Sequence, residues 1–321
     1  MSRRIEKLFE HTKLLCFGRY VLTAPIASRL EFGRDFPTLP DQADDIEKVM
    51  AAERAKILKG HKTAEITYFG KGPVANTWLI RSYGDKFAKE LELEGFRIYY
   101  IVGPHIFMEG TATAKSQNMT VERIFKDIVE TASNLRLRSP DEVPRDQGLC
   151  HEYGFTRVDG SQGAAFSQAG LHMAALPDVV FSVQSNQSQS TKGSNGYGLL
   201  KLINDRKREA GSNYPKLTTL REGKKKVHGW DGEESLVRMA DGSHDFEWMF
   251  IGESGNVARP GNLDVTMFSK VASDRVGAAE ASSLNDEEAI ALWDKLLEGL
   301  KFRVAVPGAP PEAIAIQPGK R

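Results

Sequence analysis

The chain has 321 residues, 40% hydrophobic and 27% charged, and its 43 Lys plus Arg are balanced by 43 Asp plus Glu. This length and apolar content suit two globular domains or one large one, with enough apolar surface for real cores. Zero formal net charge argues against a nucleic-acid binder, which carries a basic excess, and no run of about 18 apolar residues is present to span a membrane.

Residues 1–12 read as a polar lead-in. Glu6, Lys7, Glu10, His11 and Lys13 interrupt any apolar h-region, so the N-terminus as written predicts a cytoplasmic chain, with a leader missing from the sequence as the other reading. Leu14–Pro25 reads as a strand and 33–43 as a loop. Asp44–Lys59 reads as a helix, with Ile46, Val49, Met50 and Ile57 near one face and Gly60 as its stop. Strands follow at Thr63–Phe69, Ala75–Tyr83, Phe96–Val102 and His105–Thr113. Val121, Ile124, Phe125, Ile128, Ala132 and Leu135 keep helical spacing, and Asn118 or Thr120 can cap that helix. The prolines and polar residues of Ser139–Gly148 read as a linker.

Beyond it, strands are expected near Leu149–Arg157, Ala164–Ala174 and Val179–Val183. Gln184–Asn195 (QSNQSQSTKGSN) has no apolar anchor and reads as a mobile loop. A helix spans Gly198–Ala210. Residues 220–239 read as a β-hairpin turning at Gly229–Trp230–Asp231–Gly232, where Asp-Gly supplies positive φ. Strands at Asp245–Ile251 and Leu263–Ser269 precede a helix from Asp286 to Glu298, opened by Asn285 and Glu288 as a capping box. The proline-bearing end reads as a loose tail.

The element order repeats. Each half has a Gly-stopped helix, a hairpin, two strands and an amphipathic helix, and closes on a similar four residues, Leu135–Arg138 (LRLR) and Leu300–Arg303 (LKFR). The expected fold is α+β: two related domains, each an antiparallel β-sheet backed by helices. The expected boundaries are 1–139, a linker at 140–147, 148–303, and a tail at 304–321.

Chemistry is sparse. Gly252–Glu253–Ser254–Gly255 and Gly160–Ser161–Gln162–Gly163 both miss the G-x-S-x-G elbow. The seven histidines show no HExxH spacing, although a triad assembled in space stays open. No phosphate-binding glycine motif is present. Asp231, Glu233 and Glu234 read as solvated hairpin carboxylates and Lys224–Lys226 as an exposed strand. Trp230, at a turn, is a candidate partner anchor. Neither cofactor nor metal is expected. Cys16 and Cys150 read either as two buried thiols or as one disulfide suited to an oxidising compartment.

Several short words occur in a distinctive order: CFGRY (Cys16–Tyr20), GLC (Gly148–Cys150), LREGKKKVHGWDGEESLVR (Leu220–Arg238), FEW (Phe246–Trp248) and ALW (Ala291–Trp293). In these the chain resembles the immunity proteins that protect bacteria against type VI secretion phospholipase effectors, specifically the fourth family of such lipase immunity proteins. The resemblance implies a stoichiometric inhibitor that is not an enzyme. It implies an α/β-hydrolase-type phospholipase as partner, a periplasmic location, and two domains laid over the effector's active-site mouth or lid. The expected contact residues are the polar loop beginning Ser185, Asn186, Gln187, Ser188 and Gln189, with Trp230 and Asp231 at the hairpin tip. A hydrolase and an envelope ligand-binding or structural protein are the competing readings.

Overall fold

The computed structural model describes residues 2–33, 36–160, 166–187, 198–270 and 279–317. The first part of the chain runs α1 (Arg3–Leu8), β1 (Thr12–Phe17), β2 (Tyr20–Pro25), β3 (Ser28–Phe32), β4 (Thr38–Leu39), α2 (Ile46–Gly60), β5 (Glu65–Lys71), β6 (Thr77–Tyr83), α3 (Lys86–Glu90), β7 (Gly95–Val102), β8 (His105–Ala112), α4 (Val121–Asn134) and β9 (Leu135–Leu137). It continues with β10 (Gly148–Cys150), β11 (Gly154–Arg157), β12 (Phe166–Met173), β13 (Val179–Asn186), α5 (Leu199–Ala210), β14 (Leu217–Val227), β15 (Trp230–Met239), β16 (His244–Phe250), β17 (Asn262–Ser269), α6 (Asp286–Gly299), β18 (Leu300–Val304) and β19 (Ile314–Ile316). The fold is α+β, built mainly on antiparallel sheets, with β18 and β19 running parallel.

The compact units are not successive halves of the chain. One contains Met1–Gly33, Asp141–Cys150 and Val158–Arg321, and the other Arg34–Pro140 and His151–Arg157. The expected division at 140–147 therefore meets a chain that also passes between units near residues 33, 150 and 157. The cause is long-range pairing: β3 joins β12, and β2 joins β18.

The smaller unit is built on a sheet ordered β4-β8-β7-β6-β5. β6 and β7 place apolar residues on both faces, so both need covering. Leu79, Phe96, Ile98 and Phe107 pack with Ile124 and Ile128 of α4, and on the other side Ile80, Tyr99 and Ile106 pack with Ile46 and Met50 of α2. Local sequence explains α4: its apolar residues fall on one stripe, and the Thr120 side chain accepts the Arg123 N–H at its start. Arg138, just past β9, is buried and donates to the carbonyls of His151 and Gly154.

The larger unit is built on a sheet ordered β14-β15-β16-β17-β13-β12-β3. Its inner face carries Phe181, Val183, Leu236, Phe246, Val265 and Met267, packed with Leu292, Trp293 and Leu296 of α6. The capping box of Asn285 and Glu288 starts α6 as its sequence predicts. A second sheet, β1-β2-β18-β19, adds Leu15, Phe17, Tyr20, Leu22 and Phe302 to the same core.

Three expectations for this unit change, and a segment that the sequence left unassigned gains a role. The segment 14–25 is two strands, because Gly18 turns the chain at φ +48 and a Cβ there would lie 2.1 Å from Ser167 Oγ. The lead-in holds a short helix that buries Ile5. The segment 28–32 pairs as a strand. The expected tail carries β19, which runs parallel to β18 with Phe302 opposite Ile314. Proline content gave the tail its loose appearance, yet Ala313 and Val306 are buried. Among the described residues no helix is long and apolar enough to cross a membrane.

Candidate partner-binding surface

The hairpin turn lies earlier in the chain than the expected Gly229–Gly232. His228 and Gly229 form it with φ 45 and 91, the two positive values that a two-residue turn of this kind requires, and Val227 pairs with Trp230 across its base. Gly232 is an in-strand glycine: the Trp248 ring lies over it, 2.5 Å from where a Cβ would stand. This register turns Trp230 inward. It is 1% exposed, its indole N–H donates to the Ala258 carbonyl at 3.0 Å, and its ring meets Tyr20, Phe250 and Phe302. Trp230 is thus a core residue rather than an exposed anchor. Asp231 is exposed and lies 3.6 Å from Lys226.

The polar loop also divides. β13 extends to Asn186, beyond the expected end at Val183. Ser185 faces the core, with its hydroxyl 2.8 Å from that of Tyr20. Burial pushes the Tyr20 phenol up to about 12. Gln187 is buried, and its carbonyl accepts the Gly255 N–H at 2.8 Å. Asn186 alternates to the opposite, outer face of the sheet. Ser188 and Gln189, with the rest of the loop to residue 197, lie outside the described residues.

Cys16 and Cys150 are joined by a disulfide, with Cα atoms 5.9 Å apart. Gly18 and Cys150 exchange two backbone hydrogen bonds of 2.8 Å beside it. Arg303, the last residue of LKFR, is fully buried. It gives its guanidinium N–H groups to the carbonyls of Pro144, Asp146 and Gly148, so the predicted linker is tied down. Sequence reading found the LRLR and LKFR words but not the carbonyl-binding role that ends both.

A Ser–His–Asp line does assemble in space. His244 Nδ1 lies 3.0 Å from Ser269 Oγ, and its Nε2 lies 3.0 Å from Asp286 Oδ1. His244 and Ser269 are each 2% exposed. Ser269 Oγ accepts the His244 backbone N–H, and Asp286 also binds Arg238 at 2.6 Å. These contacts pin the start of α6 to the sheet and present no nucleophile to a substrate. His151, in the smaller unit, is buried against Thr156. Burial, and then the Arg138 charge, lower it to about 3, so its ring is neutral. Among the described residues no group of three His, Cys, Asp or Glu is arranged to hold a metal.

The outer face of the larger sheet is chemically the most distinctive surface. α5 lies over β14 and β15, leaving a small cavity of about 130 Å³ beside Ile203, Tyr214 and Val237. Beyond α5, β16, β17, β13 and β12 present their alternate residues in rows. Asp245, Phe268, Val180 and His172 form one row. Glu247, Thr266, Ser182 and Gly170 form the next, and Met249, Asp264, Gln184 and Gln168 the third. Asn262 and Asn186 follow, beside Phe166. Asp245 is pushed up to about 6 by burial and then by Glu247, against the pull of Arg206. Asp264 is also raised to about 6, again chiefly by burial, despite the hydrogen bond from Asn262. Arg206 of α5 stands 4.0 Å from Glu247. The alternation in HDFEWMF and NLDVTMFS was a visible signal for this face; the register that gathers its carboxylates was not.

The family model for the C-terminal domain of Tle cognate immunity protein 4 matches residues 142–305. No curated protein matches the chain in sequence. Solved structures share its fold. The apo structure of the immunity protein TplEi of the type VI secretion system from Pseudomonas aeruginosa is 18% identical at TM-score 0.68, covering 91% of this chain and 97% of that one. TplEi complexed with an "L" peptide is 18% identical at TM-score 0.66, with 92% and 99% covered. The crystal structure of a Tle4–Tli4 complex contains a chain 20% identical at TM-score 0.69, with 91% and 97% covered.

Proposed function

Since the chain belongs to the family of Tle cognate immunity protein 4, we propose that it is a stoichiometric inhibitor that binds a type VI lipase effector and keeps phospholipid from the effector's active site. The observation that carries this reading is the family match across residues 142–305, set within a fold shared over nine-tenths of the chain with immunity proteins. A chain of that fold is found in a Tle4–Tli4 complex, and the same kind of partner is proposed here. The protein acts by occupying the effector's mouth or lid and turns over no substrate. The burial of Ser269 and His244 supports this, because their alignment with Asp286 is, among the described residues, the arrangement that favours a hydrolase. The work is done in the periplasm, where phospholipid is exposed to attack, and the Cys16–Cys150 bond suits an oxidising compartment.

A stable complex of this kind buries roughly 1,600 Å² or more. The test is to mix the purified chain with a candidate type VI lipase effector from the same organism, and to follow complex mass and phospholipid hydrolysis together. The expected result is a one-to-one complex, with hydrolysis falling linearly to zero at equivalence. Full lipase activity at a molar excess of the chain would overturn the reading. His244→Gln should still neutralise the lipase at a temperature where the variant is folded, whereas a hydrolytic role would abolish its effect.

A further inference from the structure

Strands facing solvent on one side alternate apolar-in and polar-out, and the strip formed by β16, β17, β13 and β12 follows that rule inward but departs from it outward. Two phenylalanines stand on the polar side: Phe166 is 41% exposed and Phe268 is 42% exposed. Phe268 lies in the ladder directly between Asp245 and Val180. Asp245, Glu247 and Asp264 share the surface with it, and among the described residues their ion pair is the single 4.0 Å approach of Arg206 to Glu247. An aromatic ring flanked by carboxylates of one sign is an incomplete arrangement.

We infer that this strip receives a basic, arginine-bearing segment of the lipase effector, an inference that rests on the immunity reading above. Arginine fits both halves of the surface. Its guanidinium plane stacks on an aromatic face, and its N–H fork meets a carboxylate bidentately. Cross-strand neighbours stand about 5 Å apart, so one guanidinium over Phe268 reaches the Asp245 carboxylate. A second basic residue further along an extended segment reaches Glu247 or Asp264. A ring that stacks with a partner's cation at the centre of an interface is the kind of contact that dominates binding energy.

The carboxylates supply a signature that simple burial would not. Asp245 and Asp264 are both held near 6 in the free protein by burial and by Glu247. An incoming cation favours their charged forms and pulls them down. Binding therefore releases protons, and affinity weakens as pH falls through about 6. The other charged groups bordering the strip are placed as follows. Arg206 and Lys207 of α5 lie on one side with Glu222 of β14 and Glu233 of β15. His172 of β12 lies on the other, opposite Arg29 of β3, with Glu31 one row along.

The experiment measures binding of the full chain to the lipase effector that it neutralises by calorimetry at pH 7.5 and pH 5.5, with thermal melts of each variant as the folding control. Asp245→Asn with Asp264→Asn should weaken binding about 100-fold at pH 7.5, taking about tenfold for each charge pair lost. It should also remove most of the weakening that the unaltered chain shows at pH 5.5. Phe268→Ala should cost about tenfold. Glu247→Gln serves as the second charge variant if the double change does not fold. If the unaltered chain binds and these variants bind equally well at both pH values, the strip is not the contact and the immunity reading stands. If the unaltered chain neither binds nor inhibits, the immunity reading fails and this inference falls with it. Calcium binding by the unaltered effector-free chain, abolished in the Asn variants, would make the strip a cation site and overturn the inference.

Discussion

Replacing Trp230 separates a residue that holds the fold from one that touches a partner. Trp230→Ala removes a side chain 1% exposed, with ring neighbours Tyr20, Phe250 and Phe302 at centroid distances of 6.4, 6.4 and 5.2 Å. Emptying such a site costs about 3–5 kcal/mol, and the Ala258 carbonyl loses its indole donor for about 1 kcal/mol more. Against a total stability of about 5–15 kcal/mol this is a large share, and it corresponds to a melting midpoint lower by about 10 °C. The neighbouring change, Asp231→Ala, removes only an exposed ion pair, with side chains 66% and 71% exposed, and should stay within about 0.5 kcal/mol. Thermal unfolding of both variants, followed by lipase binding at a temperature where both are folded, gives the answer. Trp230→Ala should melt early and bind normally once folded. A Trp230→Ala protein that melts like the unaltered chain but no longer binds would refute the reasoning, because it would place the ring at the partner.

Replacing Cys16 and Cys150 with serine opens a link across 134 residues; the chain-entropy argument gives about 5 kcal/mol, measurable as a lower urea midpoint matched by the unaltered protein under reductant. Arg303→Met strands the carbonyls of Pro144, Asp146 and Gly148 and should cost about 3–5 kcal/mol, with Arg303→Lys restoring little because one ammonium does not reproduce the planar fork. Asp245 and Asp264 have folded values near 6, above the usual carboxylate range. Their contribution to stability is fully present below about pH 4 and is lost as pH rises through 6. Asp245→Asn with Asp264→Asn should therefore stabilise the chain at pH 7.5 by about 1 kcal/mol after solvent screening, with no gain in melting temperature at pH 3.5. His151 behaves oppositely. Held near 3 when folded and near 6.5 when unfolded, it leaves stability constant above pH 6.5 and lowers it as pH falls towards 3, by about 2 kcal/mol at pH 5. His151→Gln should flatten that part of the acid-unfolding curve.

Much of this architecture is written in local pattern. The stripe of Ile124 and Ile128, the Thr120 cap and the Asn285–Glu288 box specify α4 and α6 within a few residues of chain, because helix hydrogen bonds and caps close locally. Alternation in HDFEWMF and NLDVTMFS specifies strands with one buried face. The hairpin was legible as a hairpin, but its turn was not. Asp-Gly and His-Gly both offer a glycine, and the choice between them rests on which register buries Trp230 and lets the Trp248 ring lie on Gly232. Ser185 was misjudged for the same reason: a polar residue on an inward position is recognisable only once Tyr20 is seen to meet it.

The sequence by itself determined the α+β class, the places of the main helices, the scarcity of catalytic motifs and, through CFGRY, GLC and the hairpin words in order, the family. Tertiary structure decided what distant segments do to one another. It joined β3 to β12 and β2 to β18, closed Cys16 on Cys150, aimed Arg303 at the 144–148 carbonyls, and set Asp245, Glu247, Asp264 and Phe268 on one face. The physical reason is range. Propensity, capping and periodicity act over a few residues, whereas pairing and register are settled by the total apolar surface the whole fold removes from water.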